Sequence, residues 1–168
     1  IQHSRYKDTT LQKFKKQVTS TIKFRLYLLF NLPIGWLAGM AIIELTEEHC
    51  ITSVPFKWLN KNPFQSVYFA VQSMAAELST ATACMVAIQG HQPSIAIIIV
   101  DMKGQFYKKA TGKVFFTCLH QGQTYDTAVR AVASKEAQTL SLNTIGKMSD
   151  GTVVSEFTFT WSFKQRQS

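Results

Sequence analysis

The stretch from Asn62 to Gln89, NPFQSVYFAVQSMAAELSTATACMVAIQ, limits what this chain can fold into more than any other. It is long, rich in small residues and apolar on nearly every face, and a helix of that kind is stable only when the rest of the chain wraps it. It carries one acid, Glu77. At about 100° per residue, Ser66, Ser73, Glu77 and Thr80 fall on one narrow polar stripe among Ala, Val, Met and Phe. A carboxylate so placed needs either a hydroxyl partner such as Ser73 or Thr80 at a subunit interface, or a chemical task. Where the helix begins is open to two readings. Asn62-Pro63 with Gln65 is a favoured N-cap, N1 and capping-box sequence, which starts it at Pro63. The alternative start lies near Tyr68.

The flanking sequence supplies the wrapping. Met40 to Leu45 and Cys50 to Phe56 read as two strands joined by the polar Thr46-Glu47-Glu48-His49. After the helix, Gly90 suits a position just past its C-terminus, and Gln92-Pro93 breaks the chain before the β-branched run Ile95 to Val100. Phe106 to Ala110 leads through Gly112 into a strand over Lys113 to His120, and Asp126 to Ser134 reads as one short helical turn. The clearest hairpin is Gln138 to Lys147, a Ser149-Asp150-Gly151 turn and Val153 to Lys164, where Phe157, Phe159, Trp161 and Phe163 alternate with polar residues. No β-α-β alternation is present, so a parallel nucleotide-binding sheet is excluded. The order reads as α+β, an antiparallel sheet of about six strands curled around one long central helix.

Ahead of this lies a basic segment. Leu11, Phe14, Val18, Ile22 and Leu26 recur on one helical line, with Lys13, Lys15, Lys16 and Lys23 off it, predicting an amphipathic helix packed on the domain. The division expected is 1–33 for this helix and 34–168 for the wrapped domain. Of the formal net charge of +8, residues 1–25 contribute six, with seven Lys or Arg against Asp8. The body is therefore not a nucleic-acid-binding surface by composition, whereas the N-terminal helix is suited to contact an anionic membrane surface or an acidic partner. Leu26 to Ile43 has no charged residue and meets the length of a membrane span. Asn31, Pro33, Gly35 and Gly39 interrupt it, and a helix ending near Asn31 followed by a strand is the better reading.

At 168 residues the chain suits one domain with a real core. Cys50, Cys84 and Cys118 are odd in number and widely spaced, arguing against a disulfide framework or zinc knuckle and for reduced thiols in a cytoplasmic protein. His3, His49, His91 and His120 fall in separate segments, as ordinary surface histidines do, and no metal site is expected. Neither a G-x-S-x-G elbow nor an H-E-x-x-H pair is present, and the glycines between Gly104 and Lys113 have the wrong spacing for a phosphate loop.

An Asn followed fifteen positions later by an acid in a small-residue helix, Asn62 and Glu77, resembles the hotdog-fold thioesterases of the phenylacetate-degradation type and related uncharacterised bacterial hotdog domains. Ile99 to Gly112, IVDMKGQFYKKATG, is similar to that family's strand pair with its Phe-aliphatic-basic-x-Ala bend before a Gly, and the likeness covers about residues 38–164. It implies hydrolysis of acyl-CoA or acyl-carrier thioesters, with coenzyme A as part of the substrate and no further cofactor. The site carried over is Asn62 as the loop residue that orients the thioester, Glu77 as base or nucleophile, and the Phe69 backbone N–H as the group polarising the carbonyl. Ser66, Tyr68 and Ser73 would line the substrate, and Lys103, Lys108, Lys109 and Arg130 would meet the coenzyme A phosphates.

Eight residues along one helix separate Phe69 from Glu77 by about 12 Å, too far to act on one carbon, so the site requires at least a homodimer, with a dimer of dimers as a further form. The chain departs from the family in having Tyr68-Phe69-Ala70 where His-Gly-Gly is usual, which puts bulk where a ligand approaches the backbone. That departure motivates an alternative, a hotdog module that holds a lipid or acyl ligand without turning it over.

Overall fold

The computed structural model describes residues 8–120 and 122–166. His3 lies outside them. Three helices come first: α1 (Asp8–Val18), α2 (Thr21–Asn31) and α3 (Pro33–Ala38). The hairpin of β1 (Ala41–Leu45) and β2 (His49–Val54) and a single tight turn at Trp58–Asn60 lead to the long helix α4 (Phe69–Ala87). Then follow β3 (Ile95–Phe106), β4 (Val114–Leu119), α5 (Gln123–Ser134), β5 (Gln138–Met148) and β6 (Val153–Gln165). The six strands form one antiparallel sheet in the order β1-β2-β4-β5-β6-β3.

The sheet packs its inner face on α4. Phe157, Phe159, Trp161 and Phe163 of β6 point inward and are buried, as their alternation requires. Burying each of these rings contributes on the order of 1.5–3 kcal/mol. From the helix, Ala75, Ala76, Ala83 and Cys84 are inaccessible to solvent, and small side chains there let the strands approach closely. Buried hydroxyls lock the contact: Thr52 donates to the Ala75 carbonyl at 2.6 Å, Ser79 meets Thr144 at 2.8 Å, and Trp161 Nε1 donates to Thr80 Oγ1 at 3.1 Å. The β5–β6 turn closes as expected, with Gly151 at φ 85° and Thr152 N donating to Asp150 Oδ1 at 2.9 Å. The three cysteines are free and buried.

Several expectations are corrected. Of the two readings of the helix start, the one near Tyr68 holds and the one at Pro63 does not: α4 begins at Phe69, with Tyr68 rather than Asn62 at the N-cap position. Asn62 instead builds the loop before the helix: its Oδ1 accepts from Phe64 N at 3.0 Å and from Ser66 N and Ser66 Oγ at 3.2 Å. Asn is as good an Asx-turn former as an N-cap, and here the turn wins. Gln65, the expected capping-box partner, sits at φ 59°. Ser66 therefore lies outside the helix, off the polar stripe. Strand β3 runs on to Phe106 with a bulge in its pairing at Val100, and α5 is a three-turn helix instead of a short turn. His120 is not a surface residue: it is fully buried. Burial, reinforced by His49, holds its imidazole down at about 4, so it is neutral at pH 7.

The N-terminal segment differs most. The chain breaks at Thr19-Ser20, where Thr19 N and Oγ1 both return to the Lys15 carbonyl and Ser20 leaves helical geometry. Phe14 and Val18 of α1 pack against the core, but Ile22 is 75% exposed and Leu26 52%. In α2 the inward residues are Phe24 and Leu28. The single apolar line read across residues 11–26 is therefore two lines out of phase.

Candidate functional site

Two pockets flank the exposed side of α4. The first, about 320 Å³, opens at the helix start between Asn62, Ser66, Val67, Phe69 and Gln72 on one side and Phe106 to Ala110 on the other. The loop that shapes it is pinned at both ends: Val67 N donates to the Ala110 carbonyl at 2.8 Å and Tyr68 N to the Asn60 carbonyl at 2.7 Å. The first backbone bond of the new helix runs from Gln72 N to Tyr68 O at 3.0 Å. Among the described residues, the N–H groups of Phe69, Ala70 and Val71 have no acceptor. Three unpaired donors with the positive end of a 19-residue helix behind them make a natural cradle for an oxyanion. The Phe69 ring meets Tyr68 at 4.8 Å and Phe106 at 6.3 Å between centroids, both edge-on.

Gln72, absent from the sequence reading, braces this pocket. It is buried, accepts from Ser155 Oγ at 2.8 Å and donates to the Val67 carbonyl at 2.9 Å. Its only sequence signal was a polar side chain on a face otherwise buried. Of the expected phosphate contacts, Lys108 and Lys109 line the pocket. Lys103 is exposed on β3 outside both pockets, and Arg130 sits on α5 with its guanidinium donating to Thr127 Oγ1 at 2.9 Å.

The second pocket is larger, about 550 Å³, and holds Glu77. It lies between α4 and the N-terminal pair, lined by Phe14 and Val18 of α1, Phe24, Tyr27 and Leu28 of α2, and Leu78, Ala81 and Met85 of α4. Lys23, Gln17 and Asn31 are its polar residues besides Glu77 and Thr82. Burial pushes the Glu77 carboxyl up to about 7. Neither stripe hydroxyl relieves it: Ser73 Oγ donates to the Phe69 carbonyl at 3.0 Å and Thr80 Oγ1 to the Glu77 carbonyl at 2.9 Å. Among the described residues no hydrogen bond reaches the carboxylate. A raised, unsatisfied acid facing a cavity is suited to move protons near neutral pH. Within one chain the structure thus brings Asn62, Ser66, Phe69, Lys108 and Lys109 together and keeps Glu77 apart from them. Among the described residues no three His, Cys, Asp or Glu group to hold a metal.

A family model described as a domain of unknown function, DUF4442, matches residues 21–163. The chain belongs to the DUF4442 family. No curated protein matches its sequence. Solved structures give this DUF4442 member its fold. A Pseudomonas aeruginosa protein of unknown function, termed a probable thioesterase, is similar with a TM-score of 0.74 at 15% identity, over 86% of this chain and 96% of that one. A protein of unknown function from Chlorobaculum tepidum follows at 0.72 and 13%, over 90% and 99%. A Haemophilus influenzae thioesterase aligns at 0.63 and 11%, over 90% and 95%. The fold is shared with these structures, and the antiparallel sheet wrapped on one long helix is the hotdog arrangement that the resemblance implied.

Proposed function

We propose that this chain is a thioesterase-type hydrolase acting on acyl-CoA or acyl-carrier thioesters at a site completed by a second copy. The observation that carries the reading is the start of α4 at Phe69, which leaves the Phe69 N–H without an acceptor at the mouth of a pocket flanked by Lys108 and Lys109. The thioester carbonyl accepts from this N–H, which strengthens its hold as negative charge develops on the oxygen. Asn62 shapes the loop beneath it; with Oδ1 occupied, its amide N–H groups are the part left for substrate. Glu77 of the other copy takes a proton from water as the water oxygen bonds to the carbonyl carbon. The C–S bond then breaks, and the proton passes from Glu77 to the leaving thiolate. Lys108 and Lys109 meet the coenzyme A phosphates as point charges.

The second copy is supported by β3. It is an edge strand twelve residues long with Ile98, Val100 and Met102 exposed, and natural proteins rarely leave such an edge unpaired. An isologous dimer through β3 covers this edge in both copies, and the proposal requires that it also set each Glu77 against the other copy's helix start. Purified protein given a panel of acyl-CoA thioesters should release free thiol, and Glu77→Ala should abolish that release. A panel with no turnover above the variant would sink the proposal.

One observation favours a second reading. The apolar cavity around Glu77 has a volume suited to an organic ligand, and nothing in catalysis requires it to be so large. A module that stores a lipid or acyl group there would bind without hydrolysis, and Glu77→Ala would leave binding nearly unchanged. Native mass spectrometry with added acyl ligands separates the two readings.

A further inference from the structure

Helix α2 shows solvent the wrong face. On a wheel of about 100° per residue, Leu29, Ile22, Leu26 and Phe30 fall within one arc about 100° wide, opposite the buried Phe24 and Leu28. Arg25 bounds that arc on one side and Lys23 on the other. Ile22 is 75% exposed and Phe30 80%. The apolar surface continues through α3, where Ile34 and Leu37 are exposed, to Trp58 and Leu59. Two hydrogen bonds fasten this last turn to α3: Lys57 Nζ donates to the Leu37 carbonyl at 2.6 Å and Asn60 Nδ2 to the Ala38 carbonyl at 2.8 Å. A contiguous patch of this kind on a folded domain marks a place where something sits.

We infer that the outer face of α2, α3 and the Trp58 turn docks the protein flat onto an anionic lipid bilayer. Charge selects the occupant. Between Asp8 and Glu44 the sequence has no acid, while Lys13, Lys15, Lys16, Lys23 and Arg25 are basic; the segment between Glu48 and Glu77 adds Lys57 and Lys61, again with no acid. A second copy stacked on this face would set Lys23 and Arg25 against like charges, whereas anionic headgroups neutralise them. An apolar arc flanked by Lys and Arg is the pattern of a helix lying in the interface plane; here Arg25 lies over the Trp36 ring at 5.4 Å and Lys23 edges the Glu77 cavity, so the two cations sit at the rims of the arc. Among the described residues no helix is long and apolar enough to cross a membrane, so α2 lies on the bilayer. The inward face of α2 lines the Glu77 cavity, so docking brings the wall of that cavity to the membrane surface. The inference stands on the surface alone and does not depend on hydrolysis.

The experiment is flotation of the protein with vesicles of phosphatidylcholine alone and of phosphatidylcholine mixed with phosphatidylglycerol. Both Leu26 and Phe30 are exposed and lie outside the two pockets, so Leu26→Gln/Phe30→Gln should keep the parent's circular dichroism melt. The parent should float with the mixed vesicles and lose most of that binding in high salt. The double variant should bind roughly 10-fold more weakly or worse. Arg25→Gln should cost about 5-fold on its own. Trp58 fluorescence should be quenched by brominated lipid in the parent. Absence of flotation, equal flotation of parent and double variant, or flotation indifferent to the anionic lipid would each overturn the inference. So would binding to soluble polyglutamate without vesicle binding, or a double variant that loses only self-association by light scattering.

Discussion

The helix-start pocket and the Glu77 cavity share one helix and differ in nearly everything else. The first is open, lies at the helix start and is walled by a loop that spends its side-chain hydrogen bonds on holding itself in place. The second is lined mainly by apolar side chains from three helices and holds a carboxylate that no hydrogen bond reaches among the described residues. One can stabilise negative charge, and the other can hold a proton at neutral pH. The proposed hydrolysis needs both and therefore two copies, whereas storage of an apolar ligand needs only the second pocket.

The sharpest way to break this division is to remove one half at a time. Glu77→Gln keeps the shape of the cavity and removes the base, and should lower kcat by about 10²–10⁴ while leaving acyl-ligand binding intact. The parent's rate should rise as pH climbs through about 7, because the carboxylate is the working form. Stability should move the opposite way. A carboxyl pushed from its usual 4.5 up to about 7 keeps its proton in the folded state longer than in the unfolded one. Ionisation between those values then lowers stability as pH rises, by on the order of 2–3 kcal/mol, and Glu77→Gln should flatten that slope in denaturant titrations. A parent stability curve parallel to the variant's over that window would show that the cavity does not hold the proton.

At the other pocket, Phe69→Pro deletes one N–H where proline is well tolerated, at the first helical position. It should reduce kcat by about 10²–10³. Mixed dimers of Phe69→Pro with Glu77→Gln should regain activity, since one of the two shared sites is then intact. If mixing restores nothing, the two pockets do not meet across copies.

Gln72→Ala tests whether the helix-start pocket needs its brace. It leaves Ser155 Oγ and the Val67 carbonyl without their partner and should cost about 1–3 kcal/mol, a fall in Tm of several degrees. The Glu77 cavity should keep its ligand affinity. The smallest effect belongs to Lys108→Ala/Lys109→Ala, exposed charges each worth about 0.2–1 kcal/mol: KM for acyl-CoA should rise a few-fold, and KM for a short thioester without phosphates should not.

Much of the fold was legible because its strongest signals are local. The β5–β6 hairpin needs only alternation and a Ser149-Asp150-Gly151 turn, and a helix apolar all round demands a sheet to cover it. The start of α4 was ambiguous for a physical reason: Asn62 is as good in an Asx turn as at an N-cap, and only the tertiary bonds of Val67 to Ala110 and Tyr68 to Asn60 decide between them. Of the expected site, Asn62, Phe69, Lys108 and Lys109 meet in one pocket, since the loop and the β3–β4 bend come together there. Lys103 shares the basic run but lies outside that pocket. Gln72 and the cavity lining from α1 and α2 were invisible, because burial of a glutamine and the packing of a distant helix are not written in local periodicity.

The break at Thr19-Ser20 acts as a phase setter. Carried on as one rod at about 100° per residue, α1 would have set Ile22 and Leu28 about 60° to either side of the line of Phe14 and Val18, with neither clearly preferred for the core. The interruption lets α2 settle with Phe24 and Leu28 inward and Ile22 and Leu26 outward. A one-residue insertion or deletion in that joint would swing the apolar arc by about 100° while changing no side chain in the helix itself. Length variation at residues 19–20 is therefore a route by which relatives of this chain can gain or lose an outward-facing apolar surface without touching the hotdog domain.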